Sequence, residues 1–258
     1  MSLEPLYNVE RQERILQLLN EKKRISVDEI CELFSISKAT ARRDLEVLTE
    51  QKSVSRVHGG AVSLKTAPPE SPFLQRETAQ AEEKKSIGKA CAQLVQNGET
   101  VFLGSGTTVL EVAKELKDRK GLTIVTNSLP VLNLLSGIPN ISVIGLGGLF
   151  RESELSFIGQ ITERALDEIR VDKVIIGIHA IHLELGLTND YLPEAMTDKA
   201  IMKAGNQVIV VTDHTKINTV SAAFLAPVTS IQKLITDHDT SVEFIAALKE
   251  KGIEVIVA

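Results

Sequence analysis

A proline cluster, Ala67-Pro68-Pro69-Glu70-Ser71-Pro72, divides the chain into two stretches with different hydrophobic periods, and that change of period limits the fold more than any other feature. Proline fixes backbone angles and removes amide donors, so the cluster predicts a semi-rigid linker over 67–75 between a domain at 1–66 and a larger one at 76–258. Ahead of it, apolar residues recur at helical spacing. Val9, Ile15, Leu16, Leu18 and Leu19 predict a helix over 9–21. Ser26 with Glu29 forms a capping box that opens a second helix, its apolar face built from Val27, Ile30, Leu33 and Phe34 and its end near Ser35. Ser37 caps a third helix through Ala39, Ala41, Leu45 and Leu48 to about Gln51, with Ile36 plugging the turn between them. From Ser53 to Leu64, alternating apolar residues flank Gly59-Gly60, the pattern of a hairpin, here a wing.

Beyond the linker the period shortens. Apolar, β-branched runs at 100–103, 122–125, 141–144, 174–178, 208–211 and 253–257 predict buried strands, with helical patterns at 85–96, 108–116, 129–135, 161–169, 195–204 and 242–251. Such alternation implies an α/β domain with a largely parallel sheet covered on both faces. At 258 residues the chain is long enough for two cores, and 43% hydrophobic with 24% charged residues argues against disorder in either. No run approaches the roughly 18 apolar residues of a membrane span, and Met1 to Glu10 lacks a basic segment followed by an apolar one, so a cytoplasmic protein without a membrane partner is expected. Cys31 and Cys91 fall at helical apolar positions and read as reduced, packed side chains.

A net charge of −5 argues against nucleic acid until its distribution is considered. Lys38, Arg42, Arg43, Lys52, Arg56 and Lys65 cluster within the first domain, opposed only by Asp44, Glu46 and Glu50. A helix-turn-helix places the start of its second helix in the major groove of duplex DNA, where small, polar and basic residues are needed. Ser37, Lys38, Thr40, Arg42 and Arg43 supply them, joined from the wing by Arg56, His58, Gly59 and Gly60. Arg42 and Arg43 point about 100° apart on an ideal helix, so one can read a base while the other holds phosphate.

Residues 11–19, the run Ser37-Lys38-Ala39-Thr40-Ala41-Arg42-Arg43-Asp44-Leu45 and above all Arg56-Val57-His58-Gly59-Gly60-Ala61 resemble the DeoR family of repressors over nearly the whole chain. Lys52-Ser53 departs from it, since a glycine commonly precedes the wing there. The resemblance implies a winged helix-turn-helix followed by a sensor domain similar to ribose-phosphate isomerases and CoA-transferases, a double-stranded operator, a phosphorylated metabolite as effector, and a homo-oligomer, dimer or tetramer.

Three polar loops after predicted strands are expected to converge on that effector: Gly104-Ser105-Gly106-Thr107-Thr108, Thr126-Asn127-Ser128, and Gly147-Gly148. The first is an anion site in outline, since glycines admit a ligand to the backbone and the following helix start favours negative charge, although a tight structural turn has the same sequence. Thr126 and Ser128 also suit simple helix caps. Asp213 and Lys216 follow the strand at 208–211 in a segment resembling the family's Asp-x-Ser/Thr-Lys signature, and Lys84 matches a lysine typical of the family. Arg76 and Arg151 are weaker candidates. Gly104 stands where related regulators often carry Asp, and Ala180 where a glycine is frequent.

Two rival readings are open. A sugar-phosphate isomerase or transferase with an accessory DNA-binding head would need a positioned base, for which Asp213, Glu184, Asp190 and Glu194 are available. An assembly protein would use the head for protein contacts. No cofactor is expected, and no metal, because His179 and His182 would face opposite sides of a strand.

Overall fold

The computed structural model describes residues 8–22, 24–50, 54–57, 59–63 and 65–258; Gln51, Lys52, Ser53, His58 and Leu64, on which several expectations fall, lie outside them. The chain divides into two compact units, Met1–Thr66 and Ala67–Ala258.

The first unit holds α1 (Asn8–Lys22), β1 (Arg24–Ser26), α2 (Val27–Phe34), α3 (Lys38–Glu50), β2 (Val54–Val57) and β3 (Gly60–Ser63). Its core joins Ile15 and Leu19 of α1, Ile30 of α2, and Ala41, Leu45 and Leu48 of α3. The capping box is present: the Glu29 amide donates to Ser26 Oγ at 3.1 Å, and the Ser26 amide donates to Glu29 Oε2 at 2.7 Å. Ser35 ends α2 in the left-handed region, and Ser37 Oγ accepts the Thr40 amide at 3.2 Å to start α3. Leu33, expected on the apolar face of α2, is 50% exposed. It lies about 240° around an ideal helix from Val27, off the stripe that Ile30 and Phe34 continue. The hairpin of β2 and β3 gains an unanticipated third strand, giving the antiparallel order β1-β3-β2. Only Ile25 is apolar in β1, too little for alternation to register.

The second unit runs α4 (Phe73–Arg76), α5 (Ala81–Ala92), β4 (Thr100–Leu103), α6 (Thr107–Glu115), β5 (Leu122–Thr126), α7 (Leu129–Leu135), β6 (Ile141–Gly145), β7 (Leu149–Arg151), β8 (Ser156–Ile158) and α8 (Gln160–Asp167). It continues through β9 (Val171–Ile176), β10 (Ala180–His182), β11 (Gly186–Asn189), α9 (Leu192–Ala204), β12 (Gly205–Val211), β13 (Ala223–Ala226), β14 (Lys233–Thr236), α10 (Val242–Glu250) and β15 (Glu254–Val257). Seven strands form a parallel sheet in the order β15-β14-β12-β9-β4-β5-β6.

Both faces of the sheet are covered, which explains why its strands read as continuous apolar runs. Val101, Leu103, Ile175, Ile209 and Val211 pack on one side with α5, α6 and α7. Phe102, Val174, Ile176, Val208 and Val210 pack on the other with α8, α9 and α10. The winding direction reverses between β4 and β9, because β4, β5 and β6 run to one edge while β9, β12, β14 and β15 run to the other. β14 and the small antiparallel sets β7-β8 and β10-β11-β13 are additions to the strands expected from sequence; each has only three or four residues.

The proline-rich segment differs from a free tether. Ala67 is buried and its amide donates to Val220 O at 2.9 Å, while the Phe73 amide donates to Ser153 O at 2.7 Å. The Phe73 ring is 2% exposed, and burying it stabilises the docked segment by about 1.5–3 kcal/mol.

Candidate functional site

At the winding reversal, the loops after β4, β9 and β12 enclose a cavity of about 130 Å3. Ser105, Gly106, Thr107 and Thr108 come from β4, Gly177 to His179 from β9, and Thr212, Asp213, Thr215 and Lys216 from β12. Lys84 of α5, Arg76 of α4, Arg151 of β7 and the acids Glu154, Asp190, Glu194 and Asp198 complete the wall, together with Glu70 and Asn189.

Part of the lining suits an anion. Gly106, at φ 110° in the region that favours glycine, precedes α6, and no side chain caps that helix. Its first amides therefore call for an outside acceptor, and the helix dipole favours a negative one. Lys216 and Arg76 line the same cavity, with Lys216 Nζ 2.9 Å and Arg76 Nη1 2.7 Å from Glu70 Oε1. Lys84 Nζ donates to Arg76 O and Ala79 O, each at 2.6 Å, and so fixes the turn ahead of α5. Burial pushes both ammonium groups below the usual lysine range, with Asp213 pulling the other way. Asp213 Oδ1 accepts the Thr215 amide at 3.0 Å and caps the short 3-10 turn His214–Lys216.

Other groups of the lining are acidic or pair with acids. Arg151 pairs with Glu194, lies 3.6 Å from Asp190 Oδ1, and sits 4.6 Å over the Tyr191 ring. Asn189 Nδ2 donates to Glu194 Oε2 at 3.0 Å and to Asp198 Oδ2 at 3.3 Å. Burial, then the neighbouring Glu194 charge, holds the Asp198 carboxyl well above the usual aspartate range, and burial raises Glu154 although Arg76 touches it. Burial lowers His179, whose Nδ1 meets Glu70 while its Nε2 has no hydrogen-bond partner.

The expected convergence of three loops is not what the fold builds. Thr126, Asn127, Ser128, Gly147 and Gly148 lie outside the cavity lining, and several of their groups bond locally, although Asn127 Oδ1 is buried without a hydrogen-bond partner among the described residues. Thr126 Oγ1 donates to Leu103 O at 2.6 Å and accepts the Ser128 amide at 3.0 Å. Asn127 Nδ2 donates to Phe157 O at 2.9 Å, and Ser128 caps α7. Gly147 O accepts from Thr162 at 2.8 Å, and a Cβ on Gly148 would lie 2.3 Å from Thr162 Oγ1. Gly104 also stays off the wall: its amide donates to Ile175 O at 2.9 Å, and a Cβ there would stand 3.0 Å from Ile176 Cγ2. Lys84, Ser105, Gly106, Thr107, Thr108, Asp213 and Lys216 do come together, with Arg76 and Arg151 beside them. Sequence reasoning passed over Glu70, Glu154, Asn189 and Asp198. Three of them are carboxylates: Glu70 and Glu154 lie in irregular segments, and Asp198 lies within α9.

His179 and His182 engage different partners. His182 Nδ1 accepts the Glu184 and Leu185 amides, at 3.2 and 3.3 Å, whereas His179 faces the cavity. His214, Asp237 and Asp239 offer atoms within 4.8 Å of one another, but Asp237 is occupied by the His214 amide at 2.7 Å and the Asp239 amide at 2.9 Å.

In the first unit, a groove of about 350 Å3 joins the start of α3 to the hairpin, lined by Lys38, Arg42, Arg56, Gly59 and Gly60 with Val27, Asp28 and Val57. Lys38 is held by Asp28 at 2.7 Å, a contact that raises its pKa, and Arg56 by Glu46 at 2.9 Å. Arg42 and Arg43 are exposed and, among the described residues, pair with no carboxylate. Ser37 and Thr40 hydrogen-bond each other at 2.9 Å at the helix start. Asp44 is buried and engages Arg11 of α1. Gly59 holds φ 82°, whereas Gly60 is buried with room for no Cβ, which would lie 2.2 Å from Ile25 O. His58 is outside the described residues.

Two family models match: a DeoR-like helix-turn-helix domain over residues 11–67 and a DeoR C-terminal sensor domain over 79–238. The chain is 35% identical to the transcriptional repressor AccR of Agrobacterium fabrum, over 90% of each chain. It is 33% identical to the glycerol-3-phosphate regulon repressor of Escherichia coli, over 91% of this chain and 98% of that one. Among solved structures, ribose 5-phosphate isomerase A of Methanocaldococcus jannaschii matches 54% of this chain and 55% of its own, with a TM-score of 0.41 and 19% identity.

Proposed function

Since this chain belongs to the DeoR family of transcriptional regulators, we propose that it represses an operon of sugar or carbohydrate catabolism and that a phosphorylated sugar or related metabolite controls its grip on the operator. It is a DNA-binding regulator and not an enzyme, as its relatives are. The observation that carries the effector reading is the uncapped start of α6 in one cavity with Lys216 and Arg76. An anion gains dipole, amide and guanidinium contacts there together. Arg151, Asn189 and the carboxylates of the lining suit the hydroxyl groups of a sugar. Residues 1–66 carry the operator-reading surface and 76–258 the sensor. A homo-oligomer in the cytoplasm, dimer or tetramer, sets two heads on paired half-sites.

Among the described residues, no helix is long and apolar enough to cross a membrane. Control requires the effector to bind the two conformations with different affinity, since tight binding alone shifts nothing. A thermal-shift screen tests the reading, comparing sugars with their phosphate esters. A ligand present at 100 times its Kd stabilises the folded state by about 2.7 kcal/mol. Phosphate esters should raise the melting temperature and alter the capture of a duplex from the protein's own promoter, while the parent sugars do neither. Equal responses to both classes, or none to either, reject the phosphorylated effector.

A further inference from the structure

Two cations of the cavity, Arg76 and Lys216, already share an anion, and the chain itself supplies it. Glu70 Oε1 lies 2.7 Å from Arg76 Nη1 and 2.9 Å from Lys216 Nζ, and its second oxygen meets His179 Nδ1. The Glu70 amide donates to Asp190 Oδ2 at 3.2 Å. Its side chain is 7% exposed. Donors from α4, the turn after β12 and the loop after β9 thus converge on one carboxylate, as they would on a bound oxyanion. The residue belongs to the proline-rich segment, which leads back to β3 of the hairpin.

Resting on the reading of this cavity as the effector site, we propose that Glu70 is an internal competitor for the effector's phosphate, displaced when the ester binds. A phosphate carries more charge than a carboxylate and three strong acceptor oxygens, so it can take Arg76, Lys216 and His179 while also reaching the amides of α6. Two anions cannot share this cradle without strong repulsion, so one must leave. Phe73, buried, anchors the far end of the segment, and the contacts of Ala67 and Glu70 are the ones to open. Displacement therefore frees residues 67–72, the stretch through which the sensor is covalently joined to the hairpin. Effector binding and tethering of the segment become mutually exclusive, and each weakens the other by the same factor.

Glu70→Gln keeps the shape and removes the charge. Titrated with inorganic phosphate by calorimetry, the full-length variant should bind at least about tenfold more tightly than the wild type, as expected when a charge-assisted contact no longer has to be broken. Hydrogen exchange on the wild-type chain gives a second readout that needs no variant. At saturating phosphate the amides of Ala67 and Glu70 should exchange faster while that of Phe73 keeps its protection. Equal affinity in the two forms, unchanged or increased protection of Ala67 and Glu70, or no phosphate binding by either form would overturn the competitor role. The effector reading is judged separately, by the metabolite screen, and survives any of these results if phosphate esters bind there.

Discussion

In the first unit Arg11 meets Asp44 across α1 and α3 through two bonds, 2.7 and 3.1 Å long, while Gln12 also donates to Asp44 and Asn8 accepts from Arg11. In the second unit Arg76 and Arg151 meet Glu154 and Glu194 on the wall of a cavity. The chemistry is the same and the surroundings are opposite. Arg11 and Asp44 side chains are 9% and 4% exposed and belong to a closed network, so their partners are fixed for as long as the unit is folded. The cavity pairs border space that a ligand can enter, so each of their contacts is exchangeable. A sealed pair holds a fold together; an open one holds a site ready.

The sharpest way to break that contrast is to remove one acid from each kind of pair. Asp44→Ala removes the carboxylate that engages a buried guanidinium and should destabilise the first unit by about 3–5 kcal/mol. Urea melting of the full chain, followed by its helical signal, would then show an early transition. Glu194→Gln should cost roughly 1 kcal/mol or less, because the amide oxygen still accepts from Asn189 and Arg151 also faces Asp190. Comparable losses from the two substitutions would end the distinction.

A second contrast lies within the first unit, between the sealed Arg11 and the exposed Arg42. Arg42→Ala should leave the melt nearly unchanged and weaken operator binding by about 1–3 kcal/mol if it reads a base, relaxing preference at one position. If it holds phosphate, specific and random duplexes should weaken alike and the salt dependence should flatten. Gel-shift titrations on both duplexes separate these cases, and unchanged affinity on each rejects a DNA contact. Smaller still is the cap of α2. Ser26→Ala removes one side of the capping box and should cost about 1 kcal/mol of first-unit stability, with Ser26→Gly closer to wild type.

Periodicity made the first unit legible, because three amphipathic helices and a glycine hairpin each leave a local signature, down to the box at Ser26 and Glu29. The parallel sheet was legible for the same reason, in runs such as Val101-Phe102-Leu103 that bury both faces. Strands of three or four residues, such as Lys233–Thr236, carry too few positions for a period and gain their pairing from neighbours. At the cavity, the loop before α6 was visible because glycines and hydroxyls sit between a strand and a helix. Thr126 and Ser128 look the same in sequence, yet their side chains turn to backbone groups nearby, a choice that only the packed fold makes. Glu70 was hidden by its context. Prolines around it suggest a tether, and nothing local reveals Lys216, which hydrogen-bonds it from 146 positions away.

Whether the open site stores a proton is tested through pH. Six carboxylates line the cavity, Glu70, Glu154, Asp190, Glu194, Asp198 and Asp213, against four cations, Arg76, Lys84, Arg151 and Lys216. Burial, then the neighbouring Glu194 charge, raises Asp198 well above the ordinary aspartate value. Between the ordinary value of 3.8 and its raised folded value, the folded protein holds a proton that the unfolded chain has released. Its contribution to stability is therefore full below the ordinary value and is lost as the pH rises through that window. Asp198→Asn is neutral throughout and should match the wild type near about pH 4, then lose less stability as the pH rises toward about 8. Glu154, raised by burial, leaves a residual slope of the same sign in the variant. Parallel urea-melt stabilities for the two proteins across this range would mean that Asp198 is ionised in the fold, and that the acid-rich lining is balanced by charge pairing alone.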